Sequence, residues 1–222
     1  MDPVALLAWA GLQDLPLARA YLAEQLRALG TSTSVVWAMT AVPRHAFAPA
    51  ERWRAAYLDL NLWTGATWLT RPSTIARMLD ALEPRPGLRV LEIGTGTGYQ
   101  SALMAALDLK VTTVDISGRC SELARERLER LGAKSVRVLN GDGLDLPSSI
   151  GLFDVVSVNA AVPGIPHGLL SFADGEHRTL VAPVRISNGT QRLLRYSIQK
   201  GRTTTLDLGA CAFDSISKGK VP

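Results

Sequence analysis

Cysteine, histidine and long apolar runs are all scarce in this chain, and each scarcity closes off a class of function. The two cysteines, Cys120 and Cys211, stand at no metal-ligating spacing. His45, His167 and His177 form neither a metal-ligand pattern nor a triad spacing, and no G-x-S-x-G nucleophile elbow occurs. No metal is therefore expected. The apolar stretch from Val4 to Leu12 falls well short of the roughly 20 residues that span a bilayer, and Gln13, Asp14 and Arg19 follow it, so no membrane segment is expected. Met1-Asp2-Pro3 lacks the basic residues that open a secretory signal, which with the cysteine usage points to a cytoplasmic protein. A block of charge of one sign is missing too. The 24 basic and 20 acidic residues leave a net charge of +4 and are interspersed, so the basic pI of about 9.3 argues only weakly for a polyanionic partner.

What the chain does have is 47% hydrophobic content over 222 residues, enough for one well-buried core. Leu15, Leu17, Ala18, Leu22, Leu26 and Leu29 recur at helical spacing, with Gly30 as a stop, and a second helical stretch runs around Val35 to Met39. The pattern is then irregular as far as Ser73. After Pro84 and Pro86 short β-branched runs alternate with helical ones, the mark of a parallel sheet with crossover helices. Strands are expected over Arg89 to Ile93, Lys110 to Asp115, Ser135 to Asn140, Phe153 to Asn159 and Thr179 to Val184, with a helix over Cys120 to Leu131. Arg192 to Ile198 and Thr203 to Phe213 flank Lys200-Gly201 as a closing hairpin. One globular body results, with a helical cap and substrate segment over residues 1–72, a doubly wound α/β core over 73–214, and a flexible tail over 215–222.

Three elements collect at the carboxyl ends of the expected strands, where open α/β sheets bind ligands. Leu91-Glu92-Ile93 runs into the glycine turn Gly94-Thr95-Gly96-Thr97-Gly98. Tyr99 breaks the G-x-G-x-x-G dinucleotide pattern and Glu92 stands two residues before the first glycine, which suits a methionine-bearing nucleoside better. Asp115 ends the next strand, 21 residues beyond Gly94, placed to accept both ribose hydroxyl hydrogens. Gly141-Asp142-Gly143 ends the third, where Asp142 can receive an adenine amino group. Singly, the second and third elements read equally well as a helix cap and a surface turn.

Val42-Pro43-Arg44-His45-Ala46-Phe47, Leu91 through Gln100, Gly141-Asp142-Gly143 and Asn159-Ala160-Ala161-Val162-Pro163 stand in the order and spacing of the protein-L-isoaspartate O-methyltransferases, which this chain resembles over roughly residues 20 to 185. The resemblance implies a Rossmann-like class I methyltransferase fold with a mostly parallel seven-stranded sheet, and S-adenosylmethionine as cofactor. It implies that Glu92, Gly94, Thr95, Gly96 and Gly98 hold the methionine and ribose parts. Asp115 with Ile116 would hold the ribose, and Gly141, Asp142 and Gly143 the adenine side. Asn159 would sit beside the reacting methyl group, with Val162 nearby on the substrate side. The family's Thr-Ile-Ser-Gln-Pro substrate segment matches Thr67-Trp68-Leu69-Thr70-Arg71-Pro72 here. Thr70 keeps a hydroxyl for the substrate carboxylate. Arg71, in place of glutamine, reads either as a bidentate grip on a more acidic substrate or as a surface arginine.

Such chemistry asks little of the protein, because a carboxylate with a pKa near 4 is already ionised at neutral pH and needs no general base. His45 is then expected to be structural. All five tryptophans precede residue 70: Trp63 and Trp68 are assigned to a peptide groove, while Trp9, Trp37 and Trp53 are expected to pack the cap. The expected activity is esterification of an aspartyl-type carboxylate on a protein or peptide by a monomeric enzyme. The altered segment, the residues ahead of Leu15 and the tryptophans tilt the reading toward a dedicated ribosomal peptide whose ester closes to an aspartimide. Repair of isoaspartyl protein is the alternative. Nucleic-acid methylation fits the pI but lacks a basic-aromatic stripe, and a silent scaffold would not keep Glu92, Gly94, Gly96, Asp115 and Asp142 together.

Overall fold

A computed structural model describes residues 15–173, 177–187 and 189–217. Two helices open it, α1 (Leu15–Ala28) and α2 (Thr33–Ala41). Gly30, at φ +79°, closes α1 while Thr31 N donates back to the Leu26 carbonyl, and the Ser32 hydroxyl caps α2 by accepting from Val35 N. Two 3₁₀ turns, Arg44–Phe47 and Ala50–Ala55, lead to a short hairpin of β1 (Leu62–Trp63) and β2 (Trp68–Leu69). Helix α3 (Pro72–Ala81) starts on a proline, whose missing N–H costs nothing at a first turn.

The sheet then follows as β3 (Arg89–Ile93), α4 (Tyr99–Ala106), β4 (Lys110–Asp115), α5 (Gly118–Arg130), β5 (Val136–Asn140), β6 (Val155–Val158), β7 (His177–Arg185), β8 (Gln191–Gln199) and β9 (Arg202–Cys211). Its order is β5-β4-β3-β6-β7-β8-β9, parallel through β7, with β8 antiparallel to both neighbours. Strand β3 sits between β4 and β6, so the chain order reverses beside it and a crevice opens at its carboxyl end. The expected closing hairpin is present, with Lys200 and Gly201 both at positive φ, as a right-twisted two-residue turn demands. Strand β6 is shorter than its apolar run suggests, because Phe153 instead pairs with Ala173 in an isolated bridge.

Residues 15–72 build no core of their own. Leu22, Val35, Met39 and Phe47 share one buried cluster with Leu79, Leu103, Val111 and Leu193, while Leu91, Ile93, Val156, Leu180 and Tyr196 fill the other side of the sheet. Trp37, expected to pack the cap, is 57% exposed on α2, and Trp9 lies outside the described residues. Of the expected tail over 215–222, residues 215–217 are described. Ala161 N donates to Asp214 O and Ile216 N to Ala161 O, so residues 212–217 are strapped along the end of β6; residues 218–222 lie outside the described residues. No described helix is long and apolar enough to cross a membrane.

Candidate active site

The glycine turn leaves β3 with Gly94, Gly96 and Gly98 all at positive φ, a backbone path that side chains resist. Gly96 N donates to Asp115 Oδ2 at 2.8 Å, and Ser117 N donates to Asp115 Oδ1 at 2.9 Å. The carboxylate at the end of β4 is thus fixed by two backbone amides, and each of its oxygens keeps lone-pair capacity for a further donor. The third turn is tied to the same point: Gly141 N and Asn140 Nδ2 both donate to the Asp115 carbonyl. Gly143 lies so close to β3 that a Cβ there would stand 2.4 Å from Ile93 Cγ2.

Glu92 is fully buried beneath this turn. Ser101 Oγ donates to one of its oxygens and Asn159 Nδ2 donates to the other at 2.8 Å. Burial pushes the carboxyl up to about 7, against the pull of those hydrogen bonds. Asn159 Nδ2 also donates to the Gly94 carbonyl at 3.1 Å, and its Oδ1 accepts from Gln100 Nε2 at 3.1 Å. Both ends of the Asn159 amide are therefore held by the strand ends around it.

A cavity of about 480 Å³ opens over these groups. Gly94, Thr95, Gly96, Asp115, Ile116, Gly143 and Asn159 line one side, Thr67, Trp68, Leu69 and Thr70 another, and the strap Ala212 to Ser217 a third. Eleven of the residues singled out from sequence therefore meet in one space. The others do not line it. Glu92 is under the floor; Gly98 packs at φ +83° against Ala124 of α5, where a Cβ would be 3.0 Å from the Ala124 Cβ; and Asp142 accepts from Leu144 N in its own turn beside Gly141. Val162 is buried on the far side, bridged to Val184. Trp63 stands behind Trp68 on the hairpin. Arg71 turns outward, its Nη2 donating to the Asp59 carbonyl at 3.1 Å and its Nε 3.8 Å from the Asp59 carboxylate, and it does not line the cavity.

Arg44, quoted above only as part of a motif, is wholly buried and supports the segment that carries Thr70. Its Nε donates to the Ala56 carbonyl at 2.6 Å and its Nη2 to the Thr70 carbonyl at 2.8 Å, while its guanidinium lies 5.0 Å from the centre of the Tyr99 ring at the start of α4. Burial lowers the Arg44 pKa and pushes the Tyr99 hydroxyl up to about 12. One cation thus joins the hydroxyl-bearing segment to the helix that follows the glycine turn. His45 Nδ1 is 2.9 Å from the Tyr57 hydroxyl and the ring packs edge-on to Trp53, which places it in the cap rather than in the cavity.

A mostly parallel seven-stranded sheet, a glycine turn after the strand at its reversal point and an acidic residue closing the next strand define a class I S-adenosylmethionine-dependent methyltransferase. The site fits that cofactor on its own geometry: Asp115 keeps acceptor capacity toward the cavity, and Gly94 and Gly96, both at positive φ, present backbone rather than side chain at its wall. Comparison with known proteins gives the narrower class. Residues 18–220 match the family model for protein-L-isoaspartate(D-aspartate) O-methyltransferase. A protein-L-isoaspartate O-methyltransferase of Rhodopseudomonas palustris is 39% identical over 85% of this chain and 88% of its own, and one of Methanoculleus marisnigri is 39% identical over 85% and 86%. The chain belongs to the protein-L-isoaspartate O-methyltransferase family and is an S-adenosylmethionine-dependent methyltransferase. Among solved structures, a protein-L-isoaspartate O-methyltransferase superposes with TM-score 0.82 at 24% identity over 90% of this chain, which spans 66% of that one. A beta-aspartate methyltransferase of Plasmodium falciparum, solved with S-adenosyl-L-homocysteine, gives 0.76 at 20% identity over 90% and 98%. These two show the same fold.

Proposed function

We propose that this enzyme esterifies the free carboxylate of L-isoaspartyl residues in proteins and peptides. The observation that carries the reading is the meeting of Thr70, Asn159, Gly96 and Asp115 in one cavity, in a chain whose relatives are named for that reaction. Support for a dedicated ribosomal peptide is weaker than it looked from the sequence. Arg71 is occupied by Asp59, and the residues ahead of Leu15 lie outside the described part. The isoaspartyl alternative is the better supported of the two.

Bound S-adenosylmethionine supplies a methyl group on a positively charged sulfur. In this reading Asp115 would accept hydrogen bonds from the ribose hydroxyls while Gly96 N holds its Oδ2 in place, and the glycine turn would let the cofactor approach the backbone. Glu92 acts from below, fixing the Asn159 amide, which would stand beside the methyl group of a bound cofactor. Thr70 donates its hydroxyl to the substrate carboxylate, and Arg44 fixes the Thr70 carbonyl so that the hydroxyl keeps its position. A carboxylate is ionised at neutral pH, so no group need take a proton, and catalysis consists mainly of placement and exclusion of water. Cofactor-dependent methylation of two peptides differing only in an isoaspartyl or an ordinary aspartyl residue tests this. Strong labelling of the isoaspartyl peptide alone is expected; labelling of neither, with cofactor binding intact, contradicts it.

A further inference from the structure

Trp63 and Trp68 face each other across the β1–β2 hairpin, ring centroids 5.3 Å apart at 62°. Their neighbours along the strands, Leu62 and Leu69, are 2% and 1% exposed and anchor the hairpin to the core, whereas the indoles, on the alternate face, are 42% and 46% exposed. Trp53 differs from them, since its indole N–H donates to the Ala48 carbonyl and its ring packs on His45. Neither Trp63 nor Trp68 has a hydrogen-bond partner for its N–H among the described residues. Two large apolar side chains thus stand side by side in solvent, and the surface they form is continuous with the cavity that Trp68 lines.

Position along the strand gives this surface a meaning. Trp68 and Thr70 are two residues apart and both border the cavity, a separation of about 6–7 Å in extended chain, or one to two residues of a peptide substrate. We infer that the Trp63–Trp68 pair is a recognition shelf for an aromatic or large aliphatic side chain flanking the aspartyl residue that is methylated. The inference rests on the function proposed above and adds a sequence preference to it. An aromatic ring can stack on the exposed indole faces and leave the indole N–H groups to bond the peptide backbone. A cation is also attracted to an indole face, but residues 62–69 contain no acidic residue to pair with it and the chain carries a net charge of +4, which favours the uncharged side chain.

The test uses isoaspartyl peptides matched except for Gly, Phe or Lys at the position before or after the isoaspartyl residue. Methyl transfer and binding to the protein saturated with S-adenosylhomocysteine are both measured, the latter by anisotropy of a labelled peptide. In one of the two positions Phe should bind about tenfold tighter than Gly and lower KM by a similar factor, with a smaller change in kcat. Trp68→Ala and Trp63→Ala should each cut that preference to about twofold, and Trp63→Phe should restore most of it. Cofactor affinity of each variant reports its fold. Equal binding of the Gly and Phe peptides at both positions, a preference that survives in the double alanine variant, or a preference for Lys would overturn the shelf. If no peptide is methylated but tryptophan-dependent Phe binding persists, the reaction class fails and the shelf stands.

Discussion

Glu92 illustrates how a residue can matter to a site it does not touch. A carboxyl with no access to solvent loses the hydration that favours its charge, and the hydrogen bonds from Ser101 and Asn159 restore only part of it, so it titrates near 7 instead of 4.5. The sign follows from proton counting. Between about pH 4.5 and 7 the folded protein holds a proton that the unfolded chain has released, so this group's stabilising contribution is full below 4.5 and is lost as pH rises through 7. The loss is on the order of 3 kcal/mol. Thermal unfolding of wild type and Glu92→Gln across that window should therefore show the variant gaining on wild type as pH rises. Parallel curves would mean that Glu92 is ionised throughout. The family resemblance implies that Glu92 helps hold the methionine and ribose parts of the cofactor; that its carboxyl is wholly buried beneath the glycine turn is a matter of strand face, which sequence spacing does not give.

At the scale of elements, the strand ends converge because their turns interlock. Gly143 is the tightest point: a Cβ there would stand 2.4 Å from a branched carbon of Ile93, so alanine must push the third turn away from the first. Gly143→Ala should destabilise by roughly 1–3 kcal/mol, which for a chain of this size lowers Tm by several degrees, and should weaken cofactor binding. Gly141→Ala, with nothing within 4 Å of the added carbon and no positive φ, should leave Tm nearly unchanged. Unchanged Tm in Gly143→Ala would show that the turn relaxes freely.

Most of this layer was legible beforehand, since β3, β4, α5 and the closing hairpin declare themselves by β-branched runs, helical spacing and turn residues. The strap over 212–217 was not. Its attachment runs through backbone bonds to Ala161 and a pair of bonds between Gln191 and the Phe213 backbone, none of which leaves a periodic trace. Arg44 was visible as part of a motif, but its grip on the Thr70 carbonyl, 26 residues along the chain, appears only once the cap is folded.

For the whole molecule, the cavity is a seam between two lengths of chain with different tasks. In the proposed function the sheet supplies a cofactor half around Asp115 and Gly96 and the 62–70 segment a carboxylate half around Thr70; Arg44 bridges the two through the ring of Tyr99. The same core cluster runs beneath both, so neither half can shift without repacking the other. If the seam divides the work in this way, single substitutions on its two sides must separate binding from transfer.

The most direct test measures cofactor affinity and isoaspartyl-peptide kinetics together in Asp115→Ala and Thr70→Ala. Asp115→Ala should weaken S-adenosylmethionine binding by about tenfold or more, the loss of a charge-assisted pair of hydrogen bonds. Thr70→Ala should bind cofactor as wild type does and lose about tenfold or more in kcat/KM for the peptide, and Thr70→Ser should recover it. Cofactor affinity unchanged in Asp115→Ala, or peptide kinetics unchanged in Thr70→Ala, would contradict the division of the site described here.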